Sequence, residues 1–252
     1  MPRKNVLVHW LALLLGLLAT SAFAQVTPLK VLTEEFPPYN YTENGKITGF
    51  ATAVVRAVLQ EANIEGEFQS LPWARAYETA SSSESVLIYS IGRSPQREKL
   101  FKWVGVIAPT QYYLFSLPRR KLRLEGLEQA KTLQIATVNE DVGEQFLLSK
   151  GFVKGQNLQS SAKYELNYEK LKRGRVDLWI MSELTAVYYA RQAGDQPTQT
   201  LERSYAITEL SSDGYYMAFG VQTPDALVER LSKALAIIKG SGTYDALKKK
   251  WL

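Results

Sequence analysis

The sequence has no cysteine, and its only histidine, His9, lies near the amino terminus. Without cysteine the chain forms no disulfide, so burial of a hydrophobic core has to hold it together. Once a leader that contains His9 is removed, histidine is absent too. Catalytic Ser-His-Asp and Cys-His centres and the usual zinc ligand sets are therefore excluded. An enzyme built on this chain would depend on carboxylates, lysine, arginine or tyrosine.

Phosphate-binding and calcium-binding motifs are also missing, because the sequence holds no P-loop, no G-x-G-x-x-G and no calcium-loop pattern. We predict no cofactor and no metal site. Strong charge is missing as well, since the net charge of +5 falls to +3 without Arg3 and Lys4 of the leader. Nucleic-acid binding needs a basic face on a known motif, so we predict no nucleic-acid partner.

The one long apolar run is confined to residues 6–18. Basic residues precede it, and Ala-Phe-Ala at 22–24 matches a signal-peptidase site. We predict a cleaved signal peptide over 1–24 and a mature chain in the periplasm. The alternative, an uncleaved membrane anchor, is less favoured because the run is short for a bilayer.

Apolar runs alternate with segments of helical spacing along the mature chain, which predicts an α/β fold with a mostly parallel sheet. A turn at Asn44-Gly45 predicts a small hairpin. The predicted strands are 29–33, 66–71, 86–91, a long strand over 101–115, 133–138, 175–181 and 214–221. The predicted helices are 50–63, 72–81, 141–150, 166–173, 182–192, 224–239 and 244–249.

Two arginines, Arg93 and Arg97, follow the strand at 86–91. Ser94 and Pro95 suit the cap and first turn of a short helix there. Ligands of open α/β sheets bind at the carboxyl ends of strands, and arginine grips a carboxylate with two parallel hydrogen bonds. We predict that Arg97, helped by Arg93, holds an anionic group of a small ligand. The alternative is a pair of solvated surface arginines.

Several short motifs occur in a set order along the chain. They are Phe36-Pro37-Pro38-Tyr39 after the first strand, Gly49-Phe50 before a helix, Arg97 before the strand that leaves the first lobe, Gly174-Arg175-Val176-Asp177, Gly242-Thr243-Tyr244 and Lys250-Trp251. Behind a signal peptide, this order resembles the periplasmic solute-binding proteins of the polar amino-acid uptake type, bacterial extracellular solute-binding protein family 3. The resemblance covers the whole mature chain.

The resemblance implies a type II-like periplasmic-binding-protein fold, in which two hinge strands join two α/β lobes and the ligand lies in the cleft between them. The first lobe is expected at 25–109 plus 215–252 and the second at 110–214. Such lobes close over a ligand because its contacts with both exist only in the closed state. Family precedent implies a monomer and a small polar ligand, amino-acid-like or carboxylate-bearing.

The resemblance also assigns residues to the cleft. Arg97 matches the arginine that holds an amino acid's α-carboxylate, and Gly92 falls near a small polar position that binds the same group. Glu34, Phe36 and Tyr39 match pocket-lining positions of the first loop, although core packing is the alternative for the two aromatic residues.

Three positions depart from the family pattern and weaken the case for an ordinary L-amino acid. Ala51 stands where an acidic residue is usual. The second-lobe aspartate that pairs with the ligand's ammonium aligns best with Ser182, and Glu183 is next to it. Asp141 falls near a ligand position where a small hydroxyl is more usual.

The segment after the second strand adds Trp73 and Arg75, which are expected on the cleft side. Together with the two arginines of the turn, Arg75 would suit a ligand with more than one anionic group. The alternative is that Arg75 or Arg93 pairs with a protein carboxylate such as Glu34 or Glu78.

The predicted function is solute capture for an inner-membrane ABC permease, with no enzymatic activity. One alternative is a ligand-sensing module for a signalling receptor. A less favoured alternative is a small-acid lyase or dehydratase on the same fold, in which Glu34, Asp141 or Glu183 acts as general acid or base.

Overall fold

The structure is a computed structural model that describes residues 27–211 and 214–252, so the predicted signal peptide lies outside the described residues. The strands are β1 (Leu29–Thr33), β2 (Tyr41–Glu43), β3 (Lys46–Thr48), β4 (Gly66–Ser70), β5 (Val86–Gly92), β6 (Phe101–Ala108), β7 (Tyr112–Ser116), β8 (Ile135–Val138), β9 (Leu158–Ser161), β10 (Leu178–Ser182), β11 (Glu202–Ile207) and β12 (Tyr215–Gly220). The helices are α1 (Phe50–Glu61), α2 (Trp73–Ser82), α3 (Val142–Ser149), α4 (Tyr164–Lys172), α5 (Glu183–Gln192), α6 (Pro197–Thr200), α7 (Asp225–Gly240) and α8 (Thr243–Trp251).

Two five-stranded sheets form the cores of two lobes. The first sheet has the order β4-β1-β5-β12-β6, and the second has the order β11-β7-β10-β8-β9. β1 is parallel to β4 and β5, whereas β12 is antiparallel to β5 and β6. The second sheet repeats this arrangement, with β8 parallel to β9 and β10, and β7 antiparallel to β10 and β11. The α/β prediction is therefore confirmed, but the sheets are mixed rather than mostly parallel.

The chain passes between the sheets twice, from β6 to β7 and from β11 to β12. The predicted strand over 101–115 is therefore wrong as a single element, because it splits around Pro109 into β6 and β7. Proline has no backbone N–H to give to a ladder, so it suits the point where the chain leaves one sheet. The proposed lobe boundaries, 25–109 plus 215–252 and 110–214, stay a prediction.

The predicted short helix after Ser94 is absent, and consecutive turns occupy that stretch. The Arg97 amide donates to the Ser94 carbonyl at 3.0 Å, and the Leu100 amide donates to the Arg97 carbonyl at 3.0 Å. The prediction also missed β9, β11 and α6, which are short and largely polar. Within the described ranges, no helix is both long enough and apolar enough to cross a bilayer.

The packing of the parallel strands decides where the site lies. The segment Val86–Gly92 is apolar and buried along nearly its whole length, as expected for a central strand covered on both faces. Glu34 directly follows β1, Gly92 ends β5, and Ser182 ends β10. The carboxyl ends of parallel strands from both sheets thus point to the region between the lobes, where ligands of such sheets bind.

Candidate functional site

The aromatic loop after β1 packs against both lobes. The Phe36 ring lies 5.3 Å from the Tyr39 ring and 4.9 Å from the Tyr164 ring of the second lobe, centroid to centroid. Tyr215 of β12 meets Phe36 edge-on at 5.3 Å. The Tyr39 hydroxyl donates to the Pro109 carbonyl at 3.0 Å. Phe36 and Tyr39 are both buried, so they form an aromatic wall between the lobes.

Glu34 is a buried carboxyl with little to compensate its charge. Its side chain is 6% exposed, and the Tyr164 hydroxyl donates to Oε1 at 3.1 Å. Among the residues that the structure describes, no lysine or arginine forms an ion pair with it. Burial, and next the charge of Asp141, raise the pKa of Glu34 well above its usual value. The carboxyl is therefore neutral over a wider pH range than a surface glutamate.

Arg97 is wholly buried, so the solvated-surface alternative is wrong for this residue. Its Nε donates to Gln145 Oε1 at 2.9 Å, Nη1 to the Gly92 carbonyl at 3.1 Å and Nη2 to the Glu140 carbonyl at 2.9 Å. The Trp73 and Tyr77 rings flank the guanidinium at 5.2 and 4.9 Å. All three guanidinium nitrogens are thus bonded to the protein, and two of the bonds cross to the second lobe.

Asp141 caps α3 and adds a second buried carboxyl. Asp141 occupies the N-cap position, its Oδ1 accepts from the amide of the next residue, Val142, at 2.6 Å, and the residue is 7% exposed. Burial raises the pKa of Asp141 to about 6, although the positive charge of Arg97 acts in the opposite direction. We call Glu34, Arg97 and Asp141 the charge cluster.

Further contacts join the lobes around the charge cluster. The Trp73 indole donates to the Glu140 carbonyl at 2.7 Å, and the Tyr215 hydroxyl donates to the Tyr112 hydroxyl at 2.8 Å. Gly92 lies so close to Val142 that a Cβ on the glycine would be 3.0 Å from Val142 Cγ1. The lobes therefore meet directly at the ends of β5 and α3.

Two cavities lie on the seam between the lobes. The Glu34 cavity, of about 380 Å³, is lined among others by Glu34, Glu35, Trp73, Tyr164, Glu165 and Tyr189. The Arg93 cavity, of about 430 Å³, is lined among others by Gly92, Arg93, Thr110, Tyr112, Val142 and Tyr215. Arg97 and Asp141 line neither cavity and are enclosed by protein. In the described part of the chain, no group of three or more histidine, aspartate or glutamate side chains is arranged to hold a metal ion.

The other predicted arginines are not part of the charge cluster. Arg93 forms two hydrogen bonds with Glu98, of 2.8 Å from Nε and 2.6 Å from Nη2. Pairing of Arg93 with a protein carboxylate is thus observed, but the partner is neither Glu34 nor Glu78. Arg75 is exposed on α2 and lines neither cavity.

Ser182 and Glu183, the remaining second-lobe candidates, lie at the start of α5. Ser182 is fully buried, and its hydroxyl lies near that of Tyr39. Glu183 forms an ion pair with Arg203, away from the charge cluster. A role for either residue in ligand binding stays a prediction.

The sequence analysis missed Tyr164 and Gln145, which contact Glu34 and Arg97 from the second lobe. Tyr164 opens a largely polar helix, and nothing local distinguishes it from an ordinary packing tyrosine. The one feature of the sequence that points to such partners is its high tyrosine content, 14 residues. Buried tyrosines bring hydroxyl donors to a site, since a buried phenol needs a hydrogen-bond partner.

Comparison with known proteins identifies the family of this fold. The model of the bacterial extracellular solute-binding proteins, family 3, matches residues 29–252. The chain belongs to this family. It is 24% identical over 249 residues to the arginine-binding periplasmic protein of Mannheimia haemolytica, covering 96% of this chain and 97% of that protein. It is 22% identical over 223 residues to the arginine-binding extracellular protein ArtP of Bacillus subtilis, covering 86% and 82% of the two chains.

Solved structures of the same fold include an ancestral arginine-binding protein bound to arginine. Its TM-score is 0.76 at 22% identity, and the match covers 89% of this chain and 98% of that one. A histidine kinase sensor domain with similarity to periplasmic binding proteins gives a TM-score of 0.78 at 21% identity, covering 90% and 96% of the two chains. The family model confirms the predicted family, and these solved structures confirm the two-lobed periplasmic-binding-protein fold.

Proposed function

We propose that this protein captures a small, polar, nitrogen-containing solute of the amino-acid or amine kind between its two lobes and presents it to an ABC permease in the periplasm. The observation that carries the proposal is the charge cluster. Glu34 and Arg97 come from the first lobe, Asp141 comes from the second, and all three are more than nine-tenths buried.

Buried ionisable groups are costly unless partners compensate them, so structural cores avoid them. A seam that keeps two carboxyls and one guanidinium together at the ends of parallel strands is better explained by ligand capture. A ligand that contacts groups of both lobes stabilises the closed state, because those contacts are lost on opening. The relatives whose names describe arginine binding support an amino or guanidino group on the solute.

A thermal-shift screen of the purified mature protein tests this function. The compounds are amino acids, simple amines and small di- and tricarboxylates. A ligand at a hundred times its dissociation constant stabilises the native state by about 2.7 kcal/mol, which raises the melting temperature by about 5 °C or more in a chain of this size.

We expect a hit among nitrogen-containing solutes that is lost in Arg97→Ala, because this change removes the two hydrogen bonds by which Arg97 joins the first lobe to the second. A hit only with multi-anionic compounds would contradict the proposed solute class and would favour a role for Arg75 and Arg93. If no compound shifts the melting of a well-folded protein, solute capture from these classes is wrong.

A sensor role is the second candidate, and the fold shared with the histidine kinase sensor domain favours it. The two roles differ in the partner of the closed protein. ATPase stimulation of a reconstituted permease by the liganded protein supports transport, whereas liganded capture of a receptor ectodomain with no effect on any permease supports sensing.

A further inference from the structure

The Glu34 cavity has the chemistry of a cation site. Its lining includes three carboxyl side chains, Glu34, Glu35 and Glu165, and its one basic residue among those described is Lys163. Lys163 is exposed, and its Nζ lies 3.8 Å from a Glu165 oxygen. The cavity is therefore acidic, and its walls come from both lobes.

Glu34 is the residue of this cavity that most needs a positively charged partner. It is nine-tenths buried, and within the described residues its carboxyl receives one hydrogen bond, from Tyr164. Glu35 differs, because the Thr42 amide donates to its Oε2 and the hydroxyls of Thr42 and Ser70 donate to its Oε1. Burial disfavours the charged form of a carboxyl that has no cation beside it, so an ammonium or guanidinium group of a ligand would be a favourable partner for Glu34.

The protein's own cation is already engaged. Arg97 donates hydrogen bonds to Gln145, Gly92 and Glu140, and aromatic rings flank its guanidinium group. Its positive charge acts on the negative charge of Asp141. No arginine of the described chain lines the Glu34 cavity. A carboxylate carried by the ligand would therefore lie against Glu34, Glu35 and Glu165 without an arginine to bind it.

From these contacts we infer that the Glu34 cavity takes an organic cation, an amine or guanidine, that carries no carboxylate of its own. Asp141 supplies, from within the protein, the anion that Arg97 requires. This inference rests on the proposed function and narrows its ligand class.

The aromatic residues of the cavity suit the rest of such a ligand. Trp73, Tyr164 and Tyr189 line it together with Leu71 and Pro72. Aromatic faces attract cations, and the apolar walls would cover a short methylene chain. A volume of about 380 Å³ is at the lower end of the range of small-molecule sites, which fits a compact, flexible amine.

Calorimetric titration with matched pairs of compounds tests the inference. Each pair consists of an amino acid and the amine that it becomes without its carboxylate: arginine with agmatine, and lysine with cadaverine. The protein is the mature chain at pH 7.5. We expect one-to-one binding of an amine with an affinity at least about tenfold higher than that of its amino acid, because the carboxylate would be buried beside other carboxylates.

The variant Glu34→Gln should lower the affinity for the amine by about tenfold or more, because the amide keeps the shape but loses the charge. Glu61→Gln is the matched control, since Glu61 is an exposed glutamate at the end of α1 that lines neither cavity, and it should bind as the wild type does. If Glu34→Gln does not fold, Tyr164→Phe replaces it, with an expected loss of roughly tenfold.

The other outcomes of the titration distinguish failure of this inference from failure of the proposed function. If arginine or lysine binds as tightly as its amine or more tightly, the inference is wrong and the proposed function stands. If none of the four compounds binds but another solute in the thermal-shift screen does, the inference is again wrong and capture stands. If no solute of any class binds the folded protein, both are wrong.

Discussion

The ligand-free protein should lose stability as the pH rises from about 4 to about 7, which is opposite to ordinary acid denaturation. Asp141 carries the effect, because burial raises its pKa from 3.8 to about 6. Between these values the native state binds more protons than the unfolded chain, so the free energy of unfolding falls with rising pH. A shift of about two pKa units corresponds to about 3 kcal/mol, at 1.36 kcal/mol per unit.

Other ionisable groups near Asp141 also change its pKa. Arg97 and the Tyr164 hydroxyl lower its pKa, while the charge of Glu144 raises it. Glu34 itself has a raised pKa, so its contribution has the same sign as that of Asp141. Glu144 is also bonded to Lys154, and its own pKa is lowered, so its stabilising contribution is lost only as the pH falls through a lower range.

The assay is chemical or thermal unfolding of the ligand-free wild type and of Asp141→Asn at pH values from 4.5 to 7.5. The asparagine keeps the N-cap but cannot titrate, so its stability should be flatter with pH. About 3 kcal/mol corresponds to about 6–12 °C in melting temperature for a chain of this size. Glu61→Gln should keep the wild-type slope. Equal slopes in the wild type and Asp141→Asn would refute the reasoning.

Three further predictions concern ligand affinity, and each is checked by titration with the strongest hit of the thermal-shift screen. Tyr164→Phe removes the hydrogen bond that stabilises ionised Glu34, so affinity should fall by roughly tenfold, and an unchanged value would exclude that bond from binding. Gly92→Ala places a methyl group 3.0 Å from Val142 and should weaken binding severalfold, whereas Gly126→Ala, which meets open space, should not; equal effects would show that the lobe contact is unimportant. Trp73→Phe loses the indole bond across the seam, worth about 1 kcal/mol, so affinity should fall about fivefold, and a tighter complex would contradict this role.

The sequence was enough to predict the strands that position the site, because their apolar runs are long and continuous. Leu29–Thr33 and Val86–Gly92 are such strands, and the residues after them, Glu34 and Arg97, are part of the charge cluster. Asp141 departs from the family pattern, and the sequence alone shows this. These predictions needed only local pattern and the order of motifs.

The partners of these residues could not be predicted, because they depend on how the lobes meet. Tyr164 is 130 positions from Glu34, and no periodicity links them. Arg97 bonds to the backbone carbonyls of Gly92 and Glu140, which any residue type can supply. The mixed sheets were missed for a similar reason, since strand direction is decided by the crossings between the sheets rather than by strand composition.

The central claim is that one small solute is held by groups of both lobes. Titration of the strongest hit into the wild type, Glu34→Gln and Tyr164→Phe tests it most directly, because these two side chains line the Glu34 cavity from different lobes. We expect a one-to-one isotherm in the wild type and about a tenfold or greater loss of affinity in each variant, with Glu61→Gln unchanged. Absence of binding in the wild type, or a loss confined to the variant of one lobe, would contradict the claim.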